Sequence, residues 1–486
     1  MSLHLSVKSR EDHNAWNLPL GIPGFRFADL NRVRRIGALD AVFCEELAAA
    51  DPELAKAYQD YRKGKPTSDV MIRVGAFVGP FIARLFHIEV EYNALHDQLL
   101  QQGRIFKWKK VFVDKHVLKP HPTNEEIAGW DLDAMELRYR EIASQVLPDS
   151  SLALDPEREL AEVGLRVMEA QKADDLETVR QWAKALAFHP ALHARSAHFS
   201  SFEQPEKLDY QNLVPLERPD PRHPEKIMGP RDTRRHRDGF KLTDGRMSQR
   251  ESMQEVHYCL FCHERQKDSC STGLLKQGEV QKNPLGIKLD GCPLDEKISE
   301  AHMLRRDGHG IGALATVMID NPLCAGTGHR ICNDCMKSCI FQKQSPVNIP
   351  QAETGILTDV LKLPYGFEIY SLLTRWNPLN SKRPIPLPYN GKKVLVVGMG
   401  PAGYTLAHYL LNEGFGVVGI DGLRIEPLSV DMSGAKRRVP RPIKEIGDIA
   451  GNLDERMILG FGGVSEYGIT VRWDKNFLDI DRKSVV

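Results

Sequence analysis

The chain has 486 residues, 42% hydrophobic and 27% charged, which is ordinary for a soluble globular protein. Lys+Arg and Asp+Glu are 65 each, so the net charge is zero and lends no support to a nucleic-acid or acidic-membrane partner. The opening MSLHLSVKSREDHN lacks the apolar core of a secretory signal, and the most apolar long stretch, VMIRVGAFVGPFIARLF, is interrupted by Arg73, Pro80 and Arg84. These features lead us to expect a cytoplasmic protein with no membrane insertion, in which that stretch forms a buried helix pair.

In chain order, residues 1–200 read as a helical domain of unknown role. DPELAKAYQDYRKG sets Asp51 as N-cap and Pro52 at the first helical position, and DPERELAEVGLRVMEAQ repeats the device with Asp155 and Pro156. Leu160, Val163, Leu165 and Met168 then continue an apolar stripe at helical spacing. LETVRQWAKALAFHP reads as the next helix, stopped near Pro190. No fixed-period repeat or catalytic spacing is visible here. A docking or oligomerisation platform is the expectation for this part.

Residues 201–250 read as a Pro-rich linker, with Pro205, Pro215, Pro219, Pro221, Pro224 and Pro230 breaking regular structure. Its charge run, GPRDTRRHRDGFK, has no interleaved aromatic platform and reads as a solvated face.

Residues 251–385 hold nearly all the cysteine. Cys44 stands alone in a helical pattern and reads as a small core residue. The others are Cys259, Cys262, Cys270, Cys292, Cys324, Cys332, Cys335 and Cys339. Disulfides are rare in the cytoplasm, so such clustering points to metal ligation. YCLFC supplies a Cys-x-x-Cys knuckle, as structural zinc uses. CNDCMKSC instead brings a third thiolate four residues after a Cys-x-x-Cys, and Cys292 is followed by Pro293. Both features suit [4Fe–4S] ligation, and the spacing favours iron–sulfur over zinc. His257, His263, His302 and His329 keep a mixed Cys/His zinc site in view.

Residues 386–486 open an α/β unit. Val394 to Val397 reads as a strand, Gly398, Gly400 and Gly403 form G-x-G-x-x-G with Pro401 and Ala402 inside it, and PAGYTLAHYLLNEG reads as the following helix. FGVVGID reads as the second strand, ending at Asp421. Glycines at these positions let backbone approach a pyrophosphate at the helix N-terminus, and an acid after the second strand hydrogen-bonds a ribose hydroxyl. The motif does not separate FAD from NAD(P).

Several stretches carry a family resemblance: YCLFC, GCPLDEKISEAHMLRRDGHGIGALATVMIDNPLCAGTGHRICNDCMKSC, VNIPQAE, VLVVGMGPAGYTLAHYLL and GGVSEYGIT. Over about residues 255–475 the chain resembles the iron–sulfur domain, and the start of the flavin domain, shared by the glutamate synthase small subunit and dihydropyrimidine dehydrogenase. The resemblance implies two [4Fe–4S] clusters and FAD, with NAD(P)H serving a longer parent protein. It implies Cys259, Cys262, Cys270 and Cys339 on one cluster. Cys292, Cys332 and Cys335 fall on the other, with Glu353 or Cys324 as its last ligand and Glu353 preferred. It further implies flavin contacts from Gly398, Gly400, Pro401, Ala402, Gly403, Asp421, Gly463 and Tyr467.

The chain also departs from that pattern. The insertion STGLLKQGEVQKNPLGIKLD lengthens the Cys270–Cys292 spacing and puts the place of Cys270 at stake. The stretch after Asp421 is longer and more basic, and the rest of a flavin domain does not fit after residue 475.

The expected architecture is therefore multidomain: a helical N-terminal domain, a helical iron–sulfur domain, then the start of a Rossmann-type FAD-binding domain. The expected function is an FAD-dependent NAD(P)H oxidoreductase relaying electrons through two clusters to a partner domain or subunit. The alternative is a zinc-stabilised nucleotide-binding or interaction protein without turnover. No acid–base or nucleophile constellation is visible.

Overall fold

A computed structural model describes residues 17–147, 155–214, 216–230, 246–265, 267–329, 331–421 and 440–450. Helices dominate. The first group is α1 (Val33–Ala50), α2 (Pro52–Arg62), α3 (Ser68–Leu85) and α4 (Glu89–Trp108), the last running into a π-helical stretch at Lys109–Val117. The Asp51 carboxylate accepts the Leu54 N–H at 2.9 Å, capping α2 with Pro52 at its start. The apolar stretch read as a helix pair is one helix, α3. Pro80 lies inside it on the exposed face, and the helix continues to Leu85.

The second group is α5 (Asn124–Ala128), α6 (Leu132–Val146), α7 (Pro156–Glu169), α8 (Ala173–Phe188) and the single turn α9 (His193–Ser196). Asp155 caps α7 through the Arg158 N–H at 3.2 Å. These helices and the π-helical stretch enclose a core around Trp108, Val163, Val167, Val179 and Trp182.

The third group is α10 (Gln249–Tyr258), α11 (Ser269–Thr272), α12 (Ile298–Arg306), α13 (Gly310–Asp320), α14 (Cys324–Thr327), α15 (Asp334–Ser338), α16 (Ile349–Leu361) and α17 (Gly366–Leu373). It does not pack apart from the first group. Phe43, Phe81, Leu304, Ile311, Ile356 and Trp376 belong to one core. The indole N–H of Trp376 donates to Asp40 at 2.9 Å, and the Tyr58 hydroxyl to the Pro378 carbonyl at 2.8 Å. A Cβ on Gly312 of α13 would lie 2.2 Å from the Gly75 carbonyl oxygen of α3, so glycine sets that close helix crossing.

Strands are few. β1 (Leu275–Lys276) and β2 (Glu279–Val280) form an antiparallel hairpin within the insertion after Cys270. Gln277 and Gly278 both take positive φ, 53° and 85°, as a tight hairpin turn demands. β3 (Lys393–Val397) and β4 (Gly416–Ile420) pair in parallel around α18 (Pro401–Asn412).

Two strands and one crossover helix make a βαβ unit, not a Rossmann-type sheet. Among the described residues each sheet has two strands, so the expected Rossmann-type FAD domain is corrected: the protein is mostly helical. Leu395, Val397, Val418 and Ile420 on that pair are exposed, where a doubly wound sheet would cover them. No described helix is long and apolar enough to cross a membrane.

Candidate metal sites at two cysteine clusters

Cys259 and Cys262, Cys270, and Cys339 come from three separate segments and line one small cavity, with Ile298, Val347 and Ile349 as apolar walls. Cys259 caps the C-terminus of α10, Cys262 opens a 3₁₀ turn, Cys270 sits in α11 and Cys339 caps α15. The Tyr258 and Phe341 rings stack at 4.5 Å beside them. The Phe261 N–H points at the Cys259 sulfur at 3.4 Å, as in many thiolate sites where the backbone offsets charge on sulfur.

The insertion does not displace Cys270. It folds outward as the hairpin and returns the chain to its start, where the Cys292 N–H donates to the Cys270 carbonyl at 2.9 Å. The neighbouring Gly291 N–H donates to the buried Ser338 hydroxyl of α15 at 2.9 Å.

Burial pushes the Cys259 thiol up to about 12, with Cys262, Cys339 and Asp268 adding to the rise, while the Phe261 N–H opposes it. Burial likewise raises Cys262, Cys270 and Cys339. Burial thus favours the thiols over the thiolates. A thiophilic metal group would displace the protons and offset the mutual repulsion.

The second set gathers around two carboxyls. The charges of Glu353 and Glu296 act on Cys292, Cys324, Cys332 and Cys335 alike, each raised first by its own burial. Cys292 Sγ lies 4.0 Å from Glu296 Oε2. Burial, then the facing Glu296, lifts the Glu353 carboxyl well above the ordinary range. Burial also lifts Glu296 to about 7. Glu353 and Cys324, the two candidates for the last ligand, both lie here. Glu296 went unnoticed in the sequence, although its place four residues after Cys292 was a usable signal. Cys335 and Cys339 lie about one turn apart on α15, yet face different sets. Cys335 also feels Cys270 of the first set, so the two sets are neighbours.

Both donor sets fit a soft, thiolate-bound metal group. Among the described residues, the group of three donor atoms within 4.8 Å of one another is His263, Asp268 and Glu300, not a set of thiols.

At the glycine turn, Gly398 takes φ +93°, and a Cβ on Gly403 would lie 1.7 Å from the Gly398 carbonyl oxygen. Around Gly400 there is open space. Asp421 accepts the Met399 N–H at 2.9 Å, so its carboxylate holds the turn itself. Pro401 and Ala402 open α18. Gly463 and Tyr467, with most of GPRDTRRHRDGFK, lie outside the described residues.

The profile of the RP005 N-terminal alpha-helical domain matches residues 20–87, the span of α1 to α3. The chain is 56% identical over 160 residues to the uncharacterized protein RP006 of Rickettsia prowazekii (strain Madrid E), covering 33% of this chain and 22% of that protein. It thus spans under a quarter of the length of RP006. It is also 25% identical over 309 residues to the uncharacterized protein RP005 of the same organism, covering 58% of this chain and 96% of that protein.

These matches correct the family resemblance. They point to the RP005 and RP006 proteins rather than to the glutamate synthase small subunit or dihydropyrimidine dehydrogenase. The FAD-dependent NAD(P)H oxidoreductase expected from that resemblance is set aside with it. Shared motifs such as the Cys-x-x-Cys pairs and the glycine turn specify local chemistry, and unrelated proteins reuse them.

Proposed function

We propose that this chain is a metal-binding protein that holds one group at each cysteine set, with iron–sulfur as the group its spacing fits best. The observation that carries the reading is the convergence of Cys259, Cys262, Cys270 and Cys339 on one cavity despite the insertion between the last two segments. In the first set these four thiols hold the metal, and Ile298, Val347, Ile349 and the stacked Tyr258 and Phe341 exclude water. In the second, Cys292, Cys332 and Cys335 bind with Glu353, and Glu296 hydrogen-bonds that carboxyl. A bound iron–sulfur cluster supplies one-electron transfer. α15 contributes Cys335 to one set and Cys339 to the other, which fixes the separation between them.

Zinc in the same pockets is the second reading, favoured by the Cys259–Cys262 knuckle. The third thiolate four residues after the Cys-x-x-Cys in CNDCMKSC supports the iron–sulfur group. Without a Rossmann-type sheet, the expected FAD enters only as a dinucleotide phosphate proposed at the open space beside Gly400. The visible spectrum of anaerobically purified protein separates the two metals. Broad absorbance near about 400 nm that dithionite bleaches is expected for iron–sulfur thiolate coordination. A colourless protein carrying zinc would leave only the structural reading.

A further inference from the structure

A third cluster of donors lies where α3 meets α12 and the turn after Cys262. The donor atoms of His263, Asp268 and Glu300 all fall within 4.8 Å of one another. Each is held from behind by a separate neighbour. Asp69 of α3 sits 3.2 Å from His263 Nε2 and orients the imidazole. The Ser299 hydroxyl donates to Asp268 at 2.9 Å, and the Ser68 hydroxyl to Glu300 at 2.5 Å. Ser299 in turn accepts the His263 N–H at 3.3 Å, so two of the three donors share one buried hydroxyl.

The charges do not balance. Glu300 is 3% exposed, and among the described residues no Lys or Arg forms an ion pair with Glu300 or Asp268. A buried carboxylate beside a second one is costly unless a cation joins them.

We propose that His263, Asp268 and Glu300 bind one divalent first-row transition-metal ion, distinct from the thiol sets, that fastens the turn after Cys262 to α12. One imidazole and two carboxylates suit Mn2+, Fe2+ or Zn2+ better than a thiophilic ion. No thiol takes part in the site, although the Asp268 charge also reaches the first thiol set.

Mn2+ alone is the probe, since it avoids thiolates. Loss of the free-ion EPR signal is measured as Mn2+ is titrated into the full chain. We expect about one ion bound per chain, weakened about tenfold or more in both Glu300→Gln and His263→Ala. Glu296→Gln, which alters the carboxyl pair of the second thiol set, should leave it unchanged. Glu300 is buried, so its variant is read only where circular dichroism shows native helix content, and partly exposed His263 supplies the independent test. No Mn2+ uptake by the unaltered chain would overturn the proposal. So would binding lost in Glu296→Gln but retained in His263→Ala.

Discussion

Gly312 and Arg305 show how single residues decide this packing. A methyl group at Gly312 meets the backbone of Gly75, which cannot rotate away as a side chain can. Gly312→Ala should therefore cost about 1–3 kcal/mol, read as a lower urea midpoint with unchanged slope. Arg305 is fully buried. Its guanidinium donates to Asp359 at 2.8 and 3.0 Å and to Ser252 at 2.9 Å. Arg305→Met leaves the Asp359 carboxylate buried and unpaired, so a loss of about 3–5 kcal/mol is expected in the same assay. A loss below about 1 kcal/mol would mean that water reaches Asp359. Neither role was legible in the sequence. Both depend on partners far along the chain, and GIGALATV or MLRRDG looks the same whether exposed or buried.

At the scale of elements, capping was the most legible feature, because its partners are close in sequence. Asp51–Pro52 and Asp155–Pro156 open helices as read. Asp155 does more than its motif suggested, since Arg250 pairs with it and with Glu157, tying α7 to α10. Burial alone would raise the Asp155 carboxyl. The hydrogen bonds and charge of Arg250, with the Arg158 N–H, outweigh that and hold it below the usual range. A depressed folded-state value means the contribution is complete above the unfolded value of about 3.9 and is lost as pH falls through the folded one. Asp155→Ala should cost about 1–2 kcal/mol at neutral pH, and the gap to the unaltered chain should close on acidification. Thermal melts at stepped pH check this, and a gap that widens in acid would refute it.

The short helix α15 carries a second prediction at this scale. Cys339→Ser should abolish the first metal group and spare the second, and Cys335→Ser should do the reverse, so each loses about half the bound metal. Loss of all metal from either variant would show that the sets do not fill separately. The α3 error has an element-scale cause as well. Pro80 and two arginines read as breaks, but they lie where the helix meets solvent, and tertiary packing carries it through.

Across the whole molecule, the N-terminal helices and the cysteine region share a core that no local pattern announced. Asp40 meets Trp376, and Tyr58 and Tyr61 reach the carbonyls of Pro378 and Leu379. A chain beginning at residue 241 should lose its cooperative thermal transition, since it exposes the faces that Phe43 and Phe81 cover. A sharp transition in that fragment would mean the cysteine region folds alone. The cysteine spacing was legible because it is local, and the structure brings Cys259, Cys262, Cys270 and Cys339 onto one cavity. It misled on the C-terminal fold, because a glycine turn and two strands specify a βαβ unit and say nothing of how many strands follow. The His263–Asp268–Glu300 cluster was invisible for the opposite reason, as its members become neighbours only when α12 packs against the turn after Cys262.

The central claim is that the two cysteine sets each hold a metal group. Iron and acid-labile sulfide per chain, measured on anaerobically purified protein with zinc quantified alongside, test it most directly. Two cubanes require about eight of each. Stoichiometric zinc without iron, or no metal at all, would contradict the account.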